Sequence, residues 1–135
     1  MTCGENGLDG IGVFGASAMS LDRDCTATLN NKRASGLQSA GGSRIWAHPS
    51  SSLTANETVY AGAGFSNNTS GDIRGAVLVR SNNETGLTVG RSGSLMIDGP
   101  TQVLNNHMNG VFLGRGGSAE FRNNAVVTVS GTTPR

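Results

Sequence analysis

Few residues of this chain are of types that carry chemistry, and those few stand in short pairs. Asp22 and Asp24 flank Arg23. Alternate residues of a strand share a face, so two such carboxylates can work as acid and base on a polysaccharide or hold a calcium ion. They come directly after Leu21 with a cation between them, a setting in which aspartate builds turns, and the turn is the expectation. His48 and His107 have no carboxylate or cysteine neighbours of the kind that metal sites and nucleophile relays require, and no chemistry is assigned to them. The run Gly10-Ile11-Gly12-Val13-Phe14-Gly15 spells the dinucleotide fingerprint. That fingerprint has meaning only between an apolar strand and a helix, whereas residues 1–9 are polar and the residues after the run keep a strand period, so these glycines are expected at corners. No Gly-x-Ser-x-Gly elbow is present in a strand-to-helix setting. The expectation is a protein that is not an enzyme, with no catalytic residue, no metal ligand and no cofactor.

Arg91 and Arg115 are the exposed pair with a binding chemistry. Each closes a Gly-Arg step, at Gly90-Arg91 and Gly114-Arg115, in equivalent places of two similar segments. Like charges stacked one above the other either fan into solvent or share an anion, which makes an acidic sugar or a phosphate the class of ligand they would take. The two cysteines, Cys3 and Cys25, are separated by nearly the same interval as the two arginines. That spacing admits a disulfide across one repeat, which would imply an oxidising compartment, and equally two separate thiols.

The arginines belong to a tandem near-repeat. Gly86-Leu-Thr-Val-Gly-Arg-Ser-Gly-Ser-Leu-Met-Ile97 is answered by Gly110-Val-Phe-Leu-Gly-Arg-Gly-Gly-Ser-Ala-Glu-Phe121, and Val103 then falls on Val127. A fixed period of this length marks a solenoid. Apolar residues come in pairs two apart, Leu87 with Val89 and Leu95 with Ile97, then Val111 with Leu113 and Ala119 with Phe121. Spacing of two is strand spacing, and the pairs start eight positions apart, so three short strands make one turn of chain. Ile11 with Val13, Met19 with Leu21, and Ala27 with Leu29 repeat the grid near the start. The fold class expected is all-β: a single parallel β-helix, or β-solenoid, over residues 1–135, with about five coils of roughly 22–24 residues. Residues 62–135 form the regular coils, whereas 1–61 are less regular, with a loop near residues 47–58 around Pro49. Five Asn-Asn pairs, beginning at Asn30, Asn67, Asn82, Asn105 and Asn123, are expected at corners, where stacked amides can bond along the axis. Asn56, Asn67, Asn68 and Asn83 each open a glycosylation acceptor, a pattern that arises freely in so asparagine-rich a chain.

Composition agrees with thin, turn-rich coils. The 135 residues are 36% hydrophobic and only 4% aromatic, with 21 glycines. A net charge of +1 without charge blocks speaks against nucleic acid as a partner, and no run is long enough to span a bilayer, so direct membrane insertion is not expected. The N-terminal segment lacks the basic start and apolar stretch of a signal peptide, which points to a processed or excised chain. The stretch Ala125-Val-Val-Thr-Val129 is followed by too little to cover an open edge strand, so the chain is expected to continue a longer solenoid or to stack end to end on copies of itself.

The phrases Leu87-Thr-Val-Gly-Arg-Ser-Gly-Ser-Leu-Met-Ile-Asp-Gly99 and Val111-Phe-Leu-Gly-Arg-Gly-Gly-Ser-Ala-Glu-Phe121 resemble the repeats of bacterial autotransporter passenger domains and related surface adhesins, over about residues 86–130. The resemblance implies right-handed coiling, an extracellular or cell-surface location, and use as a rigid stalk or contact surface rather than as a catalyst, while surface glycans are the partner that the arginine pair suggests. No membrane-anchoring barrel follows, and residues 1–60 match the pattern poorly. Two other classes use the same scaffold: polysaccharide-cleaving enzymes, which would show carboxylates converging on one face, and phage tail or spike components, commonly threefold.

Overall fold

A computed structural model describes residues 2–4, 10–30, 34–122 and 127–130, of which 2–4, 30 and 127–130 are described as backbone only. Every regular element among the described residues is a strand, and all strand pairings are parallel. Three sheets form the walls of a prism. Sheet 1 stacks β2 (Ile11–Phe14), β5 (Leu37–Ala40), β8 (Ala63–Phe65), β11 (Leu87–Gly90) and β14 (Val111–Gly114). Sheet 2 stacks β3 (Ala18–Leu21), β6 (Arg44–Ala47), β9 (Ser70–Ile73), β12 (Ser94–Ile97) and β15 (Ser118–Phe121). Sheet 3 begins with β1 (Thr2–Gly4) and continues through β4 (Thr26–Asn30), β7 (Ser52–Asn56), β10 (Ala76–Arg80), β13 (Thr101–Leu104) and β16 (Val127–Ser130). Five three-stranded rungs thus follow one another, each strand pairing with its equivalent one coil along, which is the parallel β-helix that the apolar spacing predicts.

Several coils are longer than the repeat in the sequence suggests. Ile11 pairs with Leu37 and Leu37 with Ala63, steps of 26, whereas Ala63 to Leu87 and Leu87 to Val111 are steps of 24. The difference lies at the corner between sheets 2 and 3. Four residues turn it at Asp22–Cys25 and at His48–Ser51, each closed by a backbone bond from the fourth N–H to the first carbonyl, but only Arg74 and Gly75 separate β9 from β10. This also corrects the loop expected over 47–58: residues 52–56 are strand β7 in register with β4 and β10, and the proline stands in a tight turn. In the last coil Val103 pairs with Val129 rather than Val127, another step of 26.

Inward side chains make one continuous core. Leu37, Leu87 and Val89 of sheet 1, Ile45, Ile73, Leu95 and Ile97 of sheet 2, and Leu29, Leu53, Val77, Val79 and Val103 of sheet 3 are buried. Phe65 is the one aromatic ring fully inside among the described residues, and its volume is accommodated by Gly71, where an added Cβ would lie 2.8 Å from both the Phe65 ring and Leu95. Ser39 stands where Phe65 has its counterpart one coil earlier, and its hydroxyl bonds that of Ser43 at 2.8 Å, so the inserted polar group is satisfied.

Two corners are stacked with regular chemistry. Between sheets 1 and 2 the pairs Gly15-Ala16, Gly41-Gly42, Asn67-Asn68, Arg91-Ser92 and Arg115-Gly116 all hold positive φ, from 49° to 75°. Between sheets 3 and 1, Asn82 and Asn106 are buried one above the other. Asn82 Nδ2 donates to Asn106 Oδ1 at 2.8 Å, and Asn82 Oδ1 accepts from the Thr58 hydroxyl at 2.7 Å and its N–H at 3.0 Å. The amide ladder expected of stacked asparagines is therefore present here, whereas the side chains of Asn30 and of the pair at Asn123 lie outside the described residues.

Candidate functional site

Sheet 1 turns one row of side chains outward: Gln38, Gly64, Thr88 and Phe112 stand side by side in consecutive coils. The corners rise on either side of this row and leave a groove of about 430 Å³. Tyr60 and Glu84 line one margin, ahead of β8 and β11, while Arg91 and Arg115 line the other, directly after β11 and β14. Tyr60 is 50% exposed and Phe112 48%, so two aromatic faces are presented to solvent in a chain with few aromatics. The groove thus joins a cationic margin, a carboxylate margin, two apolar plates and a floor with an amide and a hydroxyl.

Both expected binding residues, Arg91 and Arg115, belong to this groove. They are in register, since Gly90 pairs with Gly114, and the Arg91 N–H donates to the Gly114 carbonyl at 3.2 Å. Their Cα atoms are consequently about one strand spacing apart, roughly 4.8 Å. Their backbone follows the corner they share with the other coils. Arg91 (φ 50°) and Arg115 (φ 49°) occupy the left-handed position that is Gly15, Gly41 or Asn67 in the other coils. The left-handed region costs a residue with a Cβ about 1–2 kcal/mol, and glycine and asparagine avoid most of it. Arginine brings no such relief, and neither do Ala16 and Ser92 at the second position of the same corner, so the left-handed backbone belongs to the corner and the repeated guanidinium is what distinguishes these two coils.

The remaining chemistry-bearing residues are dispersed. Asp22 and Asp24 are exposed at a turn, with Asp24 at φ 57° and its N–H donating to the Ser50 hydroxyl, in agreement with the turn role. His48 Nδ1 accepts from the Ser50 N–H at 3.1 Å, and its ring meets Trp46 edge-on at 5.9 Å. On sheet 2, Arg74 pairs with Asp72 at 3.1 Å and Arg122 with Glu120 at 2.8 Å. The hydrogen bond from Arg122 holds the Glu120 carboxyl below its ordinary value, and the bonds to Asp72 and Glu120 raise their arginines. Asp98 sits in the same column as Arg74 and Arg122 and its charge adds to both shifts, but the direct ion pairs are with Asp72 and Glu120, two positions away along the same stretch of chain. Among the described residues no three His, Cys, Asp or Glu side chains gather as a metal site.

The cysteines do not stand at equivalent positions. Cys3 pairs with Leu29, beyond Cys25 in the chain, because the first coil is longer than the interval between the two cysteines. Cys25 is a free, exposed thiol at the Asp22–Cys25 turn. The glycine fingerprint is likewise dissolved: Gly12 lies inside β2 and Gly15 at a corner with φ 62°, and the next element is strand β3. No helix of the described residues is long and apolar enough to cross a membrane.

Tyr60, Gln38, Gly64, Glu84, Thr88 and Phe112 are groove residues that the apolar pattern does not single out, because they stand at outward or corner positions. Tyr60 with Glu84, and Gly64 with Thr88 and Phe112, keep the 24-residue step of the C-terminal repeat, whereas a uniform period of that length misplaces Gln38 by two positions. Comparison with models of protein families, with curated proteins and with solved structures returned no match to the chain.

Proposed function

We propose that this β-solenoid is a non-catalytic structural and adhesive module of the extracellular or cell-surface space, contacting acidic glycans along sheet 1 through Arg91 and Arg115. The observation that carries the reading is the repeated arginine at a left-handed corner, beside a groove that also exposes Tyr60 and Phe112. Guanidinium groups suit carboxylates and sulfates, and aromatic plates suit the apolar faces of sugar rings. Polysaccharide cleavage by the usual chemistry uses a pair of carboxylates across the scissile bond, whereas this groove sets Glu84 opposite two cations, an arrangement better suited to holding a ligand.

The test is retention on immobilised anionic glycans. Wild-type protein should be retained in a salt-sensitive manner, and R91A/R115A should elute with the unbound fraction at low salt. Equal retention of the two proteins would dispose of the reading.

Contact with copies of itself is the second part of the proposal. Among the described residues β14 and β15 are the last strands of their sheets, and their inward residues Leu113 and Phe121 are 49% and 36% exposed, although their counterparts Val89 and Ile97 one coil earlier are buried. Apolar side chains above an unpaired strand edge favour addition of a further coil.

A further inference from the structure

Glycine in the middle of a strand weakens it, and where no bulge or bend is involved it marks close approach by a ligand or another backbone. Gly64 is such a residue. It stands in the centre of sheet 1, pairs regularly with Gln38 and Thr88, and is absent from the residues with positive φ. Several other glycines are demanded by packing: a Cβ at Gly75, Gly99 or Gly117 would collide with a backbone oxygen. At Gly64 the close neighbour is the amide end of Gln38, with Oε1 at 2.8 Å, which a rotation of that flexible side chain would remove. The fold therefore tolerates a side chain at position 64, and its absence lowers the floor of the groove on the Tyr60 side, beneath the Gln38 amide, with Thr88 next in the column and Phe112 one coil further.

Resting on the glycan-binding reading above, we infer that the floor at Gly64 is the seat of a single anionic pyranose ring. The ring lies on the Gly64 backbone with Tyr60 against its apolar edge, and Phe112, beyond Thr88, closes the far end of the groove. Its carboxylate or sulfate points to Arg91 and Arg115, and its hydroxyls to the Gln38 amide, the Thr88 hydroxyl and the Glu84 carboxylate. Glu84 and Arg91 bracket β11 at its two ends, so the charges of the groove fix which way round the ring sits and disfavour a second anion on the Glu84 side. The Gln38 amide rests over Gly64 and must turn aside as the ring enters, keeping a donor and an acceptor beside it.

The experiment measures binding by calorimetry of three probes, an oligouronate, a sulfated oligosaccharide and inorganic polyphosphate, to wild type, Gly64→Val, Tyr60→Ser and R91A/R115A. One of the two sugars should bind wild type, which also identifies whether carboxylate or sulfate is the anion. Gly64→Val should weaken that sugar at least tenfold and Tyr60→Ser at least fivefold, with polyphosphate binding unchanged within twofold. Tyr60 is an exposed corner residue, so its variant keeps the test decisive should Gly64→Val fold poorly. If R91A/R115A abolishes sugar binding while Tyr60→Ser and a folded Gly64→Val bind it like wild type, the ring seat is wrong and the arginine reading stands. If polyphosphate displaces the sugar and binds more tightly, the groove is a plain anion patch and the seat is again wrong. If wild type binds neither sugar, both proposals fall.

Discussion

Asn82 holds together the corner between sheets 3 and 1. Its carbonyl accepts two bonds from Thr58 and its amide donates to Asn106 Oδ1 and, at 3.4 Å, to the Ala55 carbonyl. Asn82→Ala strips the Thr58 N–H of its acceptor in a buried place, and an orphaned buried donor costs about 1–3 kcal/mol, with the loss of packing in addition. We expect Asn82→Ala to lower the unfolding free energy by about 2–4 kcal/mol in urea titration. A loss below about 1 kcal/mol would show that water replaces the amide. Paired asparagines in the sequence point to this ladder, yet they do not reveal which member of each pair turns inward. Asn82 is the first of its pair and Asn106 the second of its own, because the ladder obeys the register of the stacked coils and not the dipeptide. Asn67 and Asn68 look the same in sequence but are exposed in left-handed conformations, serving a different corner.

At the scale of the elements, strands are legible in the sequence and corners are not. Alternation of apolar residues marks nearly every strand from Ile11 to Phe121, since an inward row of Val, Leu and Ile leaves only one face to bury. The turn after sheet 2 has four residues at 22–25 and 48–51, two at 74–75 and three at 98–100, and all of these close without changing the strands they join, so the apolar pattern carries little trace of the difference. Hence the pattern suggests a loop where β7 runs, puts the cysteines in line, and displaces Gln38 from the column of Gly64, Thr88 and Phe112. The two-residue version works only because Gly75 admits the neighbouring chain: a Cβ there would collide with the Ser51 carbonyl oxygen and lie 2.8 Å from that of His48. Neither oxygen belongs to a side chain that can rotate away. Gly75→Ala should therefore lower stability by at least about 2 kcal/mol, read as a fall in thermal midpoint, and an unchanged midpoint would mean that the four-residue turn beneath it yields easily.

For the whole molecule, stability accumulates along one axis, because each coil contacts chiefly the coils before and after it. The exposed Leu113 and Phe121 make the end carrying β14 and β15 the place where association should begin. Light scattering should show mass rising with protein concentration, and Leu113→Asp combined with Phe121→Asp should restore a constant mass. A wild-type mass that stays at one chain throughout would remove self-association, and a discrete trimer would favour a spike-like assembly over open stacking. An apolar pattern running close to the last residues is plain in the sequence, but the half-bare side chains at this end emerge only once the prism is built.

The parallel register has a mechanical consequence. Strands lie across the axis, so tension along that axis loads the rungs one after another and not all at once, as a zipper is opened. A tether made from this prism would lengthen under load by peeling, each rung releasing on the order of 80–90 Å of slack before the next took the strain.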